Sequence, residues 1–150
     1  MTSATTSTPA ACAFCAIVAG EAEARVVLDD EVAVAFLDVR PLFPGHTLVI
    51  PRVHHETLPD LPLDQVGPLF ERVQSLSLAV REATGAQGTF VAANNKVSQS
   101  VPHLHVHVVP RTKGDGLRGF FWPRTPYDHG EADAVAGAIR SELERLSPPG

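Results

Sequence analysis

Nowhere among the 150 residues is there an apolar run approaching the roughly 18 that a membrane span requires, so a spanning helix is not expected. The opening MTSATTSTPA has neither a basic residue nor an apolar core, and it does not read as a signal peptide. Its Ser/Thr/Ala/Pro composition reads as a disordered tail over residues 1–11, and the default location is the cytoplasm. With only two cysteines in that compartment, a structural disulfide is not expected. An excess of base is missing too. Twelve Lys and Arg against seventeen Asp and Glu leave a net charge of −5, which argues against a nucleic-acid or membrane-surface binder working by charge neutralisation. Small anionic ligands stay open, because a site can be locally electropositive on an acidic protein. There is no internal repeat, and the length suits one compact domain, residues 12–150, rather than two.

What is present alternates strand and helix signals. CAFCAIVAG (12–20) reads as a short helix stopped by Gly20. ARVVLDD and EVAVAFLDV read as two strands of a hairpin around Asp29-Asp30-Glu31, and HTLVIP as a third strand after the Pro/Gly loop RPLFPGH. From Leu63 to Ala83, Val66, Leu69, Phe70, Val73, Leu76 and Val80 recur at helical spacing, with Pro68 near the start and Gly85 as the stop. GTFVAA (88–93) is a fourth strand, and the segment between Pro102 and Pro110 a fifth. Ala134, Val135, Ala138, Ile139 and Leu143 mark a C-terminal helix. The fold class is α+β: a mainly antiparallel five-stranded sheet, one long helix and a C-terminal helix.

The fifth strand holds three of the seven histidines, His103, His105 and His107, at alternate positions in QSVPHLHVHVVPR. Side chains alternate across a strand, so the three imidazoles share one face, and Leu104, Val106 and Val108 pack the other against the long helix. Three readings compete. The row is a solvated face rich in histidine, a metal site, or a catalytic set supplying a nucleophile, a proton donor and an orienting partner near neutral pH. Alternate strand residues lie roughly 6.6 Å apart and the outer two about 13 Å, too far for one ion to take all three. Cys12-Ala-Phe-Cys15 has the spacing of half a zinc site, and also fits two buried thiols or a redox pair.

HLHVHVV (103–109) matches the His-φ-His-φ-His-φ-φ signature of the histidine triad nucleotide hydrolases and transferases. CAFCAIVAGE resembles that family's opening helix, AFLDVRPLFPGHTLVIPRVH its central strand-loop-strand, and NNKVSQSVPHLHVHVVPR its active-site segment. The resemblance covers roughly residues 12 to 128, in order. It implies the histidine triad fold, a homodimer, and a hydrolase that forms a nucleotidyl-histidine on a purine nucleoside 5′-phosphate derivative and releases a nucleoside monophosphate. His105 takes the place of the nucleophile. His107 takes that of the residue that contacts phosphate and protonates the leaving group, and His46 that of the fourth, supporting histidine. Asn94, Gln99 and Ser100 match phosphate-binding positions, and Asp38 matches a ribose-binding aspartate. Phe14, Ile17, Phe36 and Val39 resemble the apolar slot for the base, although plain core explains them equally well.

The resemblance also implies a structural zinc, as in many bacterial members, on Cys12, Cys15, His54 and His103, with none needed for catalysis. His55 is a rival ligand. One departure stands out: only Lys96, Val97 and Ser98 separate Asn94-Asn95 from Gln99, where the common bacterial loop is longer and Gly-rich. Asn95 is therefore an alternative to Asn94. Arg118, Trp122, Arg124 and Tyr127, after the triad, are candidates for substrate choice. The leaving group is open between an amine, as in a phosphoramidase, a second nucleotide, as in a diadenosine tetraphosphate hydrolase, and a sulfate or sugar phosphate. Two rival functions remain: a nucleotide-binding regulatory protein with negligible turnover, and a metal-dependent enzyme using the histidine row as ligands.

Overall fold

The computed structural model describes residues 12–117 and 124–146. The N-terminal tail, Arg118 and Trp122 lie outside them. The chain divides into two compact units between Asp115 and Gly116.

In the first unit, α1 (Ala13–Val18) precedes the strands β1 (Val26–Asp29), β2 (Ala33–Leu37) and β3 (Thr47–Pro51). A 3-10 turn (Leu58–Asp60) then leads into the long helix α2 (Leu63–Thr84), followed by β4 (Gly88–Ala92) and β5 (Val106–Arg111). The strands form one antiparallel sheet in the order β1-β2-β3-β5-β4. The α+β expectation is met, with its five strands and its long helix.

Alternation along the strands sorts the side chains onto two faces. Ala33, Ala35, Val49, Val106 and Val108 turn to the face covered by α2, where they pack with Leu69, Val73, Leu76 and Val80. Each large aliphatic side chain buried there contributes about 1.5–3 kcal/mol. The helix pattern read from the sequence is the pattern observed, with Val66 and Phe70 partly buried at its margin. Pro68 costs the helix one hydrogen bond, and Gly85 closes it in the left-handed conformation, φ +68°. On the opposite face Val34, Phe36, Leu48 and Ile50 pack with Cys12 and Phe14 of the α1 segment. Buried on both sides, β2 is a continuous apolar run and β3 is one after Thr47.

The histidine row differs from the expected uninterrupted strand. Only His107 lies in β5, because the ladder begins at Val106. The register pairs Thr47 with Val108, Leu48 with His107 and Val49 with Val106, so two residues further on Pro51 would oppose Leu104. Proline has no N–H to give the ladder. The chain bends away instead, and the Leu104 N–H donates to the His55 carbonyl at 2.7 Å. Leu104 still joins the α2 core, fully buried.

Gly45 sits where the loop returns to β3. Its φ is +102°, and a Cβ there would lie 2.6 Å from Thr84 Cγ2. Gly45→Ala should therefore cost about 1–3 kcal/mol, measured as a lower urea midpoint with an unchanged m-value.

The second unit contains α3 (Glu131–Leu146), which matches the expected C-terminal helix. Acidic Glu131 and Asp133 open it and Arg145 lies in its last turn, complementing the helix dipole at both ends.

Candidate active site and metal centre

Two clusters of ligating and titratable side chains lie on the α1 side of the sheet, built around the first and third members of the histidine row. The first joins Cys12 and Cys15, from the start of α1, to His54 and His103. One ligand atom from each lies within 4.8 Å of all the others. Cys12 Sγ is 3.5 Å and Cys15 Sγ 3.6 Å from His103 Nδ1, and Cys15 Sγ is 3.3 Å from His54 Nδ1. A tetrahedral zinc with Zn–S ~2.3 Å and Zn–N ~2.0–2.1 Å would set sulfur and nitrogen about 3.5 Å apart. The donors fit that edge length.

The surroundings complete the fit. His103 is fully buried, and its Nε2–H donates to the Pro51 carbonyl at 3.0 Å. That bond leaves the Nδ1 lone pair for an ion, as expected where a backbone carbonyl orients a ligating imidazole. The Cys15 N–H donates to Cys12 Sγ at 3.3 Å. Burial and the neighbouring Cys12 push the Cys15 thiol up to about 11, so proton release there needs a metal's charge. These four residues form a site that can hold a metal ion. The rival His55 stands outside it, its Nε2 buried without a hydrogen-bond partner among the described residues.

The second cluster is Asp38, His46 and His107. His46 Nε2 lies 2.9 Å from His107 Nδ1 and 3.7 Å from Asp38 Oδ2. Nitrogens 2.9 Å apart share a proton; a tetrahedral ion on both would hold them roughly 3.3 Å apart. The pair is hydrogen-bonded. Burial, the neighbouring His105 and His46 together hold His107 down to about 4, with Asp38 opposing. Burial likewise lowers His46, again against Asp38. Both imidazoles are neutral at pH 7.

In the folded state both rings protonate below the ~6.5 of an unfolded histidine, His107 at about 4. Between about 6.5 and 4 the unfolded chain therefore binds more protons, and stability falls as pH is lowered through that window. Urea midpoints of chelator-treated protein should drop steadily from pH 7 to pH 5, and His107→Gln should flatten the slope.

His105 lies between the two clusters. It is 4% exposed, its ring 5.1 Å from Phe14 and 5.0 Å from His107, both edge-on. Its Nδ1 is 2.8 Å from the His103 carbonyl. A carbonyl only accepts, so the proton sits on Nδ1 and the lone pair on Nε2.

The expected nucleotide contacts are placed unevenly. Asp38 Oδ1 accepts from the Arg40 N–H at 2.9 Å, while Oδ2 faces His46. Phe14 and Phe36 pack edge-on, centroids 5.3 Å apart, inside the apolar cluster, with Ile17 half-buried against it. Val39 is 86% exposed. Asn94 Nδ2 donates to the Ser98 carbonyl at 3.3 Å, and Ser100 is exposed. Gln99 is engaged at both ends, accepting from the Lys96 N–H at 2.9 Å and donating to the Glu56 carbonyl at 2.6 Å. Asn95 turns the other way, its Oδ1 accepting from the Leu58 N–H at 2.8 Å.

Lys96 and Ser98 adopt positive φ, +72° and +61°. Non-glycine residues hold that conformation where surrounding bonds dictate it. Here the bonds are those of Gln99 and Asn95 and the Lys96–Glu56 ion pair at 2.7 Å. The short loop is thus laced to residues 56–58, immediately after His54. Glu56 and Lys96 were missed in the sequence, where only the shortened spacing marked this loop. Arg124 and Tyr127 are exposed in the second unit.

Residues 19–114 match the HIT domain family. The chain belongs to the histidine triad (HIT) family. A HIT-like protein of Mycobacterium tuberculosis is 38% identical over 137 residues, 88% of this chain and 92% of its own length. Relatives with named activities are an Arabidopsis thaliana adenylylsulfatase and a Schizosaccharomyces pombe adenosine 5′-monophosphoramidase. The first is 34% identical over 71% of this chain and 55% of its own. The second is 29% identical over 89% and 98% respectively. Among solved HIT structures, a Streptococcus mutans protein superposes with a TM-score of 0.83 at 35% identity, covering 93% of this chain and 89% of its own. A zinc-bound histidine triad protein of Mycobacterium smegmatis is 38% identical, with a TM-score of 0.68 over 91% and 98%. The HIT match falls wholly within the first unit, which carries both clusters.

Proposed function

We propose that this HIT protein is a nucleotide hydrolase and nucleotidyl transferase. It would cleave at the α-phosphate of a purine nucleoside 5′-phosphate derivative through a nucleotidyl-His105 intermediate. The observation that carries the reading is the 2.8 Å bond from His105 Nδ1–H to the His103 carbonyl, which puts the Nε2 lone pair in a desolvated setting. As that nitrogen attacks phosphorus, positive charge grows on the ring, and the carbonyl dipole at Nδ1 stabilises it more in the transition state than in the resting state. The bond from phosphorus to the leaving group breaks as the P–N bond forms, and the leaving group takes its proton from solvent, helped by a hydrogen bond from the His107 Nε2–H. Water then attacks the phosphoramidate and a nucleoside monophosphate departs, restoring the imidazole.

Asp38 would take the ribose hydroxyls, Asn94 and Ser100 the phosphate oxygens, and Phe14, Ile17, Phe36 and Val39 the base. For Gln99 to reach phosphate it must release one of its two loop bonds.

Zinc on Cys12, Cys15, His54 and His103 would be structural, neutralising two thiolates and tying α1 to the catalytic segment; the zinc-bound M. smegmatis relative supports this. The reading treats residues 12–150 as one HIT domain that is cytoplasmic and pairs as a homodimer. None of the described helices is long and apolar enough to cross a membrane. The named activities of the A. thaliana and S. pombe relatives support a purine nucleotide with an adenylyl group. The test is chromatographic detection of AMP released from adenosine phosphoramidate and from diadenosine tetraphosphate, with and without chelator. AMP that survives chelation is expected, and the faster substrate identifies the leaving group. Nucleotide binding with no AMP from either would favour the regulatory alternative, and loss of all turnover on chelation the metal-dependent one.

A further inference from the structure

A main-chain donor meets the His46–His107 pair from the loop that also carries Asp38 and His46. Leu42 lies between β2 and β3 with its side chain 53% exposed, and its N–H donates to His46 Nδ1 at 3.0 Å. A neutral imidazole has one N–H and one lone pair. With Nδ1 accepting, the His46 proton must be on Nε2, 2.9 Å from His107 Nδ1. That nitrogen of His107 must then be the acceptor, and the His107 proton is confined to its own Nε2. Asp38 Oδ2, 3.7 Å from His46 Nε2, favours the same arrangement.

The alternative reverses both rings together. A proton on His46 Nδ1 would confront the Leu42 N–H, donor against donor, and His107 would have to donate inward from Nδ1. We propose that the Leu42 amide is a positioning group which, through His46, keeps the His107 N–H on the nitrogen that faces the leaving group, where it donates a hydrogen bond. The proposal rests on the reading of His107 as the hydrogen-bond donor to the leaving group. The comparison that fits is an orienting partner whose loss leaves the general acid–base histidine in the wrong tautomer. Here the orienting group is backbone, two bonds removed from the reaction.

The test separates amide from side chain. Leu42→Pro removes the N–H, whereas Leu42→Ala keeps it. In long-range ¹H–¹⁵N spectra of histidine-labelled protein without substrate, wild type and Leu42→Ala should show His107 Nδ1 bare and Nε2 protonated. Leu42→Pro should show mixed or inverted tautomers, and its kcat for AMP release should fall on the order of 10–100-fold with KM little changed. His46→Gln and His46→Ala supply a second arm that does not depend on Leu42→Pro folding. The glutamine amide can put an N–H where Nε2 stood, so it should recover at least tenfold in kcat over alanine.

Wild-type tautomers with wild-type kcat in Leu42→Pro would overturn the proposal, as would equal rates for His46→Gln and His46→Ala. The spectra need no turnover, so they stand even if neither substrate yields AMP. Conversely, His105-dependent AMP release with an unaffected Leu42→Pro enzyme would sink this inference and leave the functional reading in place.

Discussion

Replacing His105 with alanine should lower AMP release at least about a thousandfold while leaving the fold intact. The expected size follows from what is removed. Among the described residues, His105 offers the one lone pair in the row that neither a hydrogen bond nor the cysteine cluster engages. His103 Nδ1 faces Cys12 and Cys15, and His107 Nδ1 faces His46. With it gone, water would have to attack the α-phosphorus directly, without a nucleophile already held beside it. Truncation also opens a space next to Phe14, so thermal melts should accompany the kinetics. The covalent step has its own signature. His107→Ala keeps the nucleophile, so after exposure to diadenosine tetraphosphate, whose departing nucleotide needs no proton, its intact mass should show a nucleotidyl adduct, and the His105→Ala/His107→Ala double variant should not. Turnover by His105→Ala at the wild-type rate would end the covalent mechanism.

How much of this was legible beforehand depends on which atoms carry the information. The spacing of Val66, Leu69, Val73, Leu76 and Val80 encodes α2 directly, because helix periodicity selects the buried positions. The alternation in LHVHV likewise encodes the two faces of β5, with Val106 and Val108 on the α2 side and His107 on the other. Cysteines with two residues between them and a distant pair of histidines were recognisable as metal donors by type. Choosing His54 over His55 was not, because adjacent side chains diverge by an angle that the local bend sets. Main-chain partners left no trace at all. The Pro51 carbonyl under His103, the His103 carbonyl under His105 and the Leu42 amide under His46 are groups that nearly every residue possesses. Only the fold says which of them meets an imidazole. Gln99 shows the same limit from the other side. Its residue type suits phosphate, but with three residues between Asn95 and Gln99 its amide closes the loop onto Glu56 and Lys96.

Stripping the metal should lower the melting temperature by on the order of 10 °C, reversibly on adding zinc, while His105-dependent AMP release persists below the new transition. The helix α1 has six residues, too few to persist alone, and no acidic residue in its first turn. What holds it is the insertion of Phe14 among Val34, Phe36, Leu48 and Ile50, together with the Cys12–Cys15–His54–His103 cluster. Metal binding is linked to folding because the four donors converge only in the native chain. A contribution of a few kcal/mol in a chain of this size shifts the midpoint by roughly the stated amount. Cys15→Ser should reproduce the loss and abolish the response to zinc; Cys12→Ser should do the same and also remove the sulfur that receives the Cys15 N–H. His55→Ala should leave the zinc stoichiometry unchanged, because His55 stands outside the cluster. The kinetic consequence is graded rather than absolute. Phe14 and the His103 carbonyl both support His105, so a loosened α1 should cost activity severalfold through the position of that ring. A complete loss of AMP release on chelation, at a temperature where circular dichroism still reports the native fold, would instead make the metal part of the chemistry.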